Sequence, residues 1–238
     1  MNTIDQAKQH VRDQVWRRLV ESGAAPPDSY GKIPGFAGTA ATAELLSQTS
    51  EWQQATTVKA NPDWAQLPVR VRALADGKLL YMAVPRMASL KPFFLLDPRT
   101  LTLPPEEAAD KRAARDHARR VGVEDMTPID LVICGSVAVN RSGARIGKGA
   151  GYSDIEVALL IEAGLVTEKT VIVAPVHQLQ VVEEDIPETP HDFSVDLIVT
   201  PDEVIRCPER RRPSGILWDD LTAEKIAGIP VLAARVGR

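Results

Sequence analysis

The chain has 238 residues, 44% of them hydrophobic and 25% charged, the make-up of a globular protein able to bury a sizeable core, here as a single domain over residues 1–238. A formal net charge of -4 gives no global attraction to nucleic acid or an anionic membrane, and 5% aromatic content argues against a surface built to stack bases. Cys134 sits in the apolar run DLVICGSVAV and Cys207 in a polar loop, a spacing that suits neither a disulfide framework nor a metal knuckle. The N-terminus lacks the apolar core of a signal peptide, and no later segment is long and apolar enough to span a bilayer, so the expected location is the cytoplasm.

In chain order, Thr3 to Ser22 reads as an amphipathic helix with Ala7, Val11, Val15 and Leu19 on its apolar face, Lys8 and Arg12 on the others, and Gly23 as its stop. GAAPPDSYGKIPGFAG is a Gly/Pro-rich connector, either a linker or a loop over a site, and ATAELLSQ is a short helix. TTVKA reads as a strand, Asp63 to Ala75 as a helix ended by Asp76-Gly77, and LLYMAV as a buried strand. The alternation VRVR before Asp-Gly leaves a hairpin, VRVRALADGKLLYMAV, as an alternative. FFLLD is a further apolar piece, PPEEAADKRAARDHARRVG a solvated helix, and DLVICGSVAV a strand. SDIEVALLIEAG reads as a helix from Ser153 to Gly164, followed by the strands TVIVAP, VDLIVT and VLAARV. Apolar strands alternating with helices predict a mostly parallel sheet covered on both faces, with ligands outside the carboxyl ends of its strands.

The stretch RIGKGAGYSD, Arg145 to Asp154, runs from a strand into a helix. Unpaired N–H groups and the helix dipole favour an anion there; Arg145 adds a planar fork and Lys148 a movable charge. It matches neither G-x-G-x-x-G nor a Walker motif, so a surface hairpin with solvated cations stays open. Asp154 and Asp196 could place Mg2+ beside phosphate, or could be a helix-start charge and a turn residue. His177 and His191 read as loop or strand-end residues. Arg206, Arg210, Arg211 and Arg212 in RCPERRRP could grip nucleic-acid phosphates, stand solvated, or guard an anionic ligand; the acidic total and few aromatics make nucleic acid the weakest of these.

GSVAVNRSGARIGKGAGYSD resembles the segment of 5-formyltetrahydrofolate cyclo-ligases that ends in R-L-G-x-G-x-G-Y-Y-D. AKQHVR is similar to their N-terminal K-x-x-x-R, GKLLYMAVPRM to their segment ending P-R-Y, and SVDLIVT to their late V-D strand, all in the family order. With RRPSGILW, the pattern is most similar to the divergent methenyltetrahydrofolate synthase domain-containing branch. Two family tyrosines are replaced, by Ser153 and Met87, and the family's tryptophan-containing segment before the loop has no counterpart.

The resemblance implies a Rossmann-like three-layer α/β/α fold of the ribose-phosphate isomerase and CoA-transferase type, ATP with Mg2+, and a folate substrate. In the family, ATP phosphorylates the formyl oxygen of 5-formyltetrahydrofolate, N10 attacks the activated carbon, and phosphate leaves to give 5,10-methenyltetrahydrofolate. Carried over by position, Lys8 and Arg12 would contact ATP. Arg145, Gly147, Lys148, Gly149, Gly151 and Tyr152 would form the phosphate loop, with Arg145 and Lys148 closest to the chemistry and Asp154 and Asp196 on the metal side. The alternative is a non-catalytic nucleotide- or folate-binding protein on the same fold. Positioning and charge neutralisation dominate phosphoryl transfer, so no catalytic histidine is required.

Overall fold

The structure is a computed structural model and describes residues 3–236. It opens with α1 (Thr3–Glu21), whose buried stripe is Lys8, Val11, Arg12, Val15, Trp16 and Leu19. This stripe is rotated from the expected one: Ala7 is exposed, while Lys8 and Arg12 share the buried face with the apolar residues. After the connector come α2 (Thr39–Ser47) and α3 (Ser50–Gln54), then β1 (Thr57–Ala60), α4 (Leu67–Ala75) and β2 (Leu79–Ala83). VRVR lies inside α4, not in a hairpin. Val69 and Ala73 are buried one turn apart, and Arg72 pairs with Asp76 at 2.9 Å over the next turn, so helical spacing suits both residue types.

β3 (Phe93–Leu96) follows, and the long helix expected next is broken into α5 (Pro105–Ala108), α6 (Lys111–His117) and β4 (Arg119–Val121). Asp110 causes the first break, because its side chain accepts from the N–H groups of Arg112 and Ala113 and starts a new helix. The second follows from the free edge of β3, against which Arg119–Val121 pairs antiparallel. DLVICGSVAV also divides: Leu131–Ile133 is β5, and past Gly135 and Ser136 the chain enters a different sheet as β6 (Ala138–Asn140), which turns into β7 (Arg145–Ile146).

α7 (Tyr152–Glu162), β8 (Val171–Pro175), β9 (Val181–Val182), β10 (Leu197–Val199) and β11 (Val204–Arg206) complete the sheets. The chain then forms α8 (Ala223–Ala227) and α9 (Pro230–Ala233). VLAARV is therefore not a strand: Pro230 opens a short helix with its fixed φ, and the alanines after it favour that state.

The main sheet has the order β11-β10-β8-β5-β1-β2-β3-β4. Its centre from β10 to β2 is parallel, and β11, β3 and β4 add antiparallel edges. Alternating strand residues feed two cores: Tyr81, Val132 and Ile172 face α7, while Val58, Leu80 and Ile133 face α2 and α4. The result is a three-layer α/β/α arrangement. A three-stranded sheet, β7-β6-β9, packs against α1 through Val15, Leu19, Ala138 and Ile146. Among the described residues no helix is long and apolar enough to cross a membrane.

Candidate functional site

β1 stands between β5 and β2; the chain leaves it for β2 on one side and later returns as β5 on the other. That reversal of strand order opens a crevice at the carboxyl ends of the strands. A cleft of about 630 Å³ lies there, with Asn61 and Asp63 just past β1 and Arg86 just past β2 in its walls. The connector contributes Gly31 and Ile33 to the cleft wall, so it runs over the cleft. α1 supplies Lys8 and Arg12 from the buried stripe, and the glycine loop with the start of α7 forms the facing wall.

The loop is held from two sides. Arg12 Nε donates to the Gly147 carbonyl at 2.7 Å, and Lys225 of α8 donates to the Ala150 carbonyl at 2.6 Å, its ammonium 3.7 Å from the Tyr152 ring centre. Gly149 and Gly151 adopt φ of +93° and +68°, conformations that L side chains rarely take, and Gly151 ends the loop as the N-cap of α7. The helix thus begins at Tyr152, one residue earlier than expected. No side chain caps it, and its first residues, Tyr152 to Asp154, line the cleft. A solvated surface hairpin does not describe this geometry. Nor does the loop follow a strand of the parallel sheet: β7 of the smaller sheet delivers it.

Arg145 is the most buried of the cations lining the cleft, 2% exposed, with its guanidinium carbon 4.0 Å from the Phe193 ring centre. Its Nη2 donates to Asp154 Oδ1, while Nε and Nη1 are buried with no protein partner. Burial works against its charge, but the nearby Asp154 and Asp192 hold its pKa above the usual value. Buried donors left unmade are costly, so a guanidinium held in this state is poised for an acceptor from outside the protein. Lys8 pairs with Asp192 at 2.5 Å, and Lys148, nearly half exposed, is 3.7 Å from Asp63. Arg12 is pulled below its usual pKa by burial, against the opposing pull of Asp5 and Asp192.

Lys8, Arg12, Arg145, Gly147, Lys148, Gly149, Gly151, Tyr152 and Asp154 all line this one cleft. Asp196 does not. It lies just before β10, at the amino ends of the strands, and its oxygens accept from Ile172 N–H at 2.7 Å, Arg212 at 2.5 Å and Arg210 at 3.1 Å. Asp130 does the same two strands along, before β5, accepting from Thr56 and Thr57 N–H. Besides Asp154 the cleft is lined by Asp5, Asp63, Glu156 and Asp192, and of these Asp192 is held below the usual carboxylate range despite burial because Lys8 and Thr189 donate to it. Among the described residues no three His, Cys, Asp or Glu side chains gather as a metal cage.

The sequence profile of the 5-formyltetrahydrofolate cyclo-ligase family matches residues 4–201. The chain belongs to that family. It is 35% identical over 239 residues to the methenyltetrahydrofolate synthase domain-containing protein of Bos taurus, which covers 95% of this chain and 61% of that one. The chain thus spans about three fifths of such relatives. The mitochondrial 5-formyltetrahydrofolate cyclo-ligase of Arabidopsis thaliana is 35% identical over 92 residues, covering 37% of this chain and 32% of its own. In fold it is similar to the 5,10-methenyltetrahydrofolate synthetase of Aquifex aeolicus, with a TM-score of 0.54 at 20% identity over 86% of this chain and 94% of that one.

Against the cyclo-ligase motif, the two replaced tyrosines have different fates. Met87 is fully buried in the core and does not line the cleft. Arg86 and Met87 both take positive φ, +58° and +51°, a strained pair at the cleft end of β2. Ser153 stays in the cleft wall and accepts from the Asn61 amide at 3.4 Å. Asn61 also donates to Glu156 at 3.2 Å, and Glu156 pairs with Lys59 at 2.5 Å. Buried Arg70 fixes this region by donating to the carbonyls of Asn61 and Asp63 at 2.7 and 2.9 Å, and burial brings its pKa down to about 10. None of Lys59, Asn61, Arg70, Glu156 and Asp192 belongs to a motif. The available signals were a lone lysine inside the apolar strand TTVKA and a carboxylate after His191.

Two of the four arginines in RCPERRRP are tied into the fold, while Arg206 and Arg211 are more than half exposed, 3.1 Å from Glu51 and 3.7 Å from Glu188. Arg210 donates to the carbonyls of Glu168 and Thr170, and Arg212 to the Ser194 carbonyl at 2.7 Å, besides both binding Asp196. His177 caps the turn at Gln178–Gln180 by accepting from Leu179 N–H at 3.2 Å. Cys134 is buried and Cys207 half-buried, both as free thiols.

Proposed function

We propose that the chain converts 5-formyltetrahydrofolate to 5,10-methenyltetrahydrofolate with ATP and Mg2+, through phosphorylation of the formyl oxygen. Family membership supports the reaction. The observation that carries it is Arg145, buried in the cleft wall with two donors unmet beside a loop whose Gly149 and Gly151 take positive φ.

The donor set fits a nucleotide. Arg145 would present Nε–H and Nη1–H to phosphate oxygens as two separate charge-assisted donors, its Nη2 being held by Asp154, and Lys148 would follow the charge as a mobile ammonium. Lys8 and Arg12 would add positive potential from α1, Arg12 while bracing the loop through Gly147. The N–H groups of Tyr152 and Ser153 would complete the cradle. A magnesium ion is held by few carboxylates with phosphates and waters, and Asp154 with Asp192 would supply that small protein share. Bound there, ATP and Mg2+ provide an activated phosphoryl group with its charge neutralised. The chain's own share is positioning and charge neutralisation, which phosphoryl transfer needs more than an acid or base on the protein.

The test is an assay of 5-formyltetrahydrofolate with ATP and Mg2+, read as growth of the methenyl product's ultraviolet absorbance. Absorbance that grows only with both ATP and the protein is expected. A melting temperature raised by ATP without any product would instead make this a binding protein.

A further inference from the structure

Lys59 occupies the middle of β1, between Val58 and Ala60, and is fully buried. Its neighbours in register are Tyr81 of β2 and Val132 of β5, and it points to the α7 face of the sheet. There it meets Glu156, itself 3% exposed, at 2.5 Å. A buried ion pair is seldom more stable than well-packed apolar residues of the same size, so stability alone does not explain a lysine in an apolar parallel strand. Violations of local pattern of this sort gather at functional sites.

The hydrogen bonds are one-sided. Lys59 and the Asn61 amide both donate to Glu156 Oε2, at 2.5 and 3.2 Å. Oε1 receives no donor among the described residues, and Glu156 lines the cleft. A carboxylate is thereby fixed by one oxygen with the other left to accept. Asn61 links it at 3.4 Å to Ser153, the residue standing where the family motif has its second tyrosine. The aromatic wall lost there is replaced by a polar floor.

We infer that Glu156 is a specificity residue whose Oε1 accepts the N–H donor edge of the substrate's ring, with Lys59 and Asn61 as its positioning residues. A pterin offers such an edge in its 2-amino group and ring N–H, and a charge-assisted bond to a fixed acceptor is the strong kind. This rests on the folate reading proposed above.

The experiment titrates 5-formyltetrahydrofolate and its 2-desamino analogue into wild type and Glu156→Gln by calorimetry, with ATP titrated separately and melting temperatures recorded. Glu156→Gln should weaken 5-formyltetrahydrofolate by about ten- to a hundredfold, the worth of a hydrogen bond to a charged group, and leave ATP affinity unchanged. Wild type should prefer the amino compound, and the variant should lose that preference, which a merely structural role would not change. Equal discrimination by both proteins overturns the inference while the folate reading stands. If wild type binds ATP but neither folate, the folate reading fails and this inference falls with it. Should Glu156→Gln not fold, Lys59→Met with Glu156→Leu, an apolar swap of similar volume, carries the same comparison.

Discussion

Two arginine–aspartate groups sit at opposite ends of the same sheet. At the carboxyl end Arg145 gives one donor to Asp154 and keeps two buried and unmet. At the amino end Arg210 and Arg212 close on Asp196 and on the carbonyls of Glu168, Thr170 and Ser194. The residue types are the same and the outcomes opposite. What separates the two groups is the number of donors left over after the fold is satisfied, not how many arginines cluster in sequence.

The comparison breaks first at Arg145. Arg145→Met leaves Asp154 without its buried cation, so denaturant unfolding should show a loss of about 3–5 kcal/mol, and ATP titration should show no measurable binding. Arg145→Lys keeps the charge without the fixed, planar set of donors; it should recover part of the stability and little of the affinity. Wild-type ATP affinity in the lysine variant would end the argument from the two unmet guanidinium donors.

Arg212→Ala is the matching change at the other end. Losing its bonds to Asp196 and the Ser194 carbonyl should lower stability by about 1.5–3 kcal/mol, the range for hydrogen bonds to charged groups, with ATP affinity intact. A clear loss of ATP affinity would show that the two ends are not independent.

The layers were legible in the sequence because their signals are local. TTVKA, LLYMAV and TVIVAP are runs that only a sheet buried on both faces accommodates, and the helix from Ser153 to Gly164 was misread by one residue at its start. Boundaries set by distant partners were not. Arg119–Val121 is a strand because β3 has an open edge, and DLVICGSVAV divides because two sheets compete for it. The same divide runs through the site. The motif gathered Arg145 to Asp154, but that Asp192, and not Asp196, lines the cleft depends on which end of the sheet each one reaches. Glu156 and Lys59 meet only through the packing of α7 on β1.

Lys148→Ala is a milder change than either arginine. The side chain is half-exposed and its partner Asp63 is 3.7 Å away, so stability should stay within about 0.5 kcal/mol. ATP affinity should fall roughly tenfold, as for one charge-assisted contact. Isothermal titration separates the two quantities, and unchanged affinity would remove Lys148 from the cradle.

The smallest effect uses Cys207 as a reporter of the amino end. Burial, and secondarily the Asp196 carboxylate, push its thiol up to about 11. Only the thiolate reacts, so near pH 8 labelling by an aromatic disulfide should be about a hundredfold slower than for an ordinary thiol, rising as pH climbs towards that value. Asp196→Asn removes the charge and keeps an acceptor for Ile172 N–H, so labelling should quicken by a few-fold at most, burial being the larger cause. ATP with Mg2+ should leave the wild-type rate unchanged, because the nucleotide is assigned to the far end of the strands. Strong protection by ATP would place a ligand, or a motion coupled to one, at Asp196, and the division between a working end and a structural end would no longer hold.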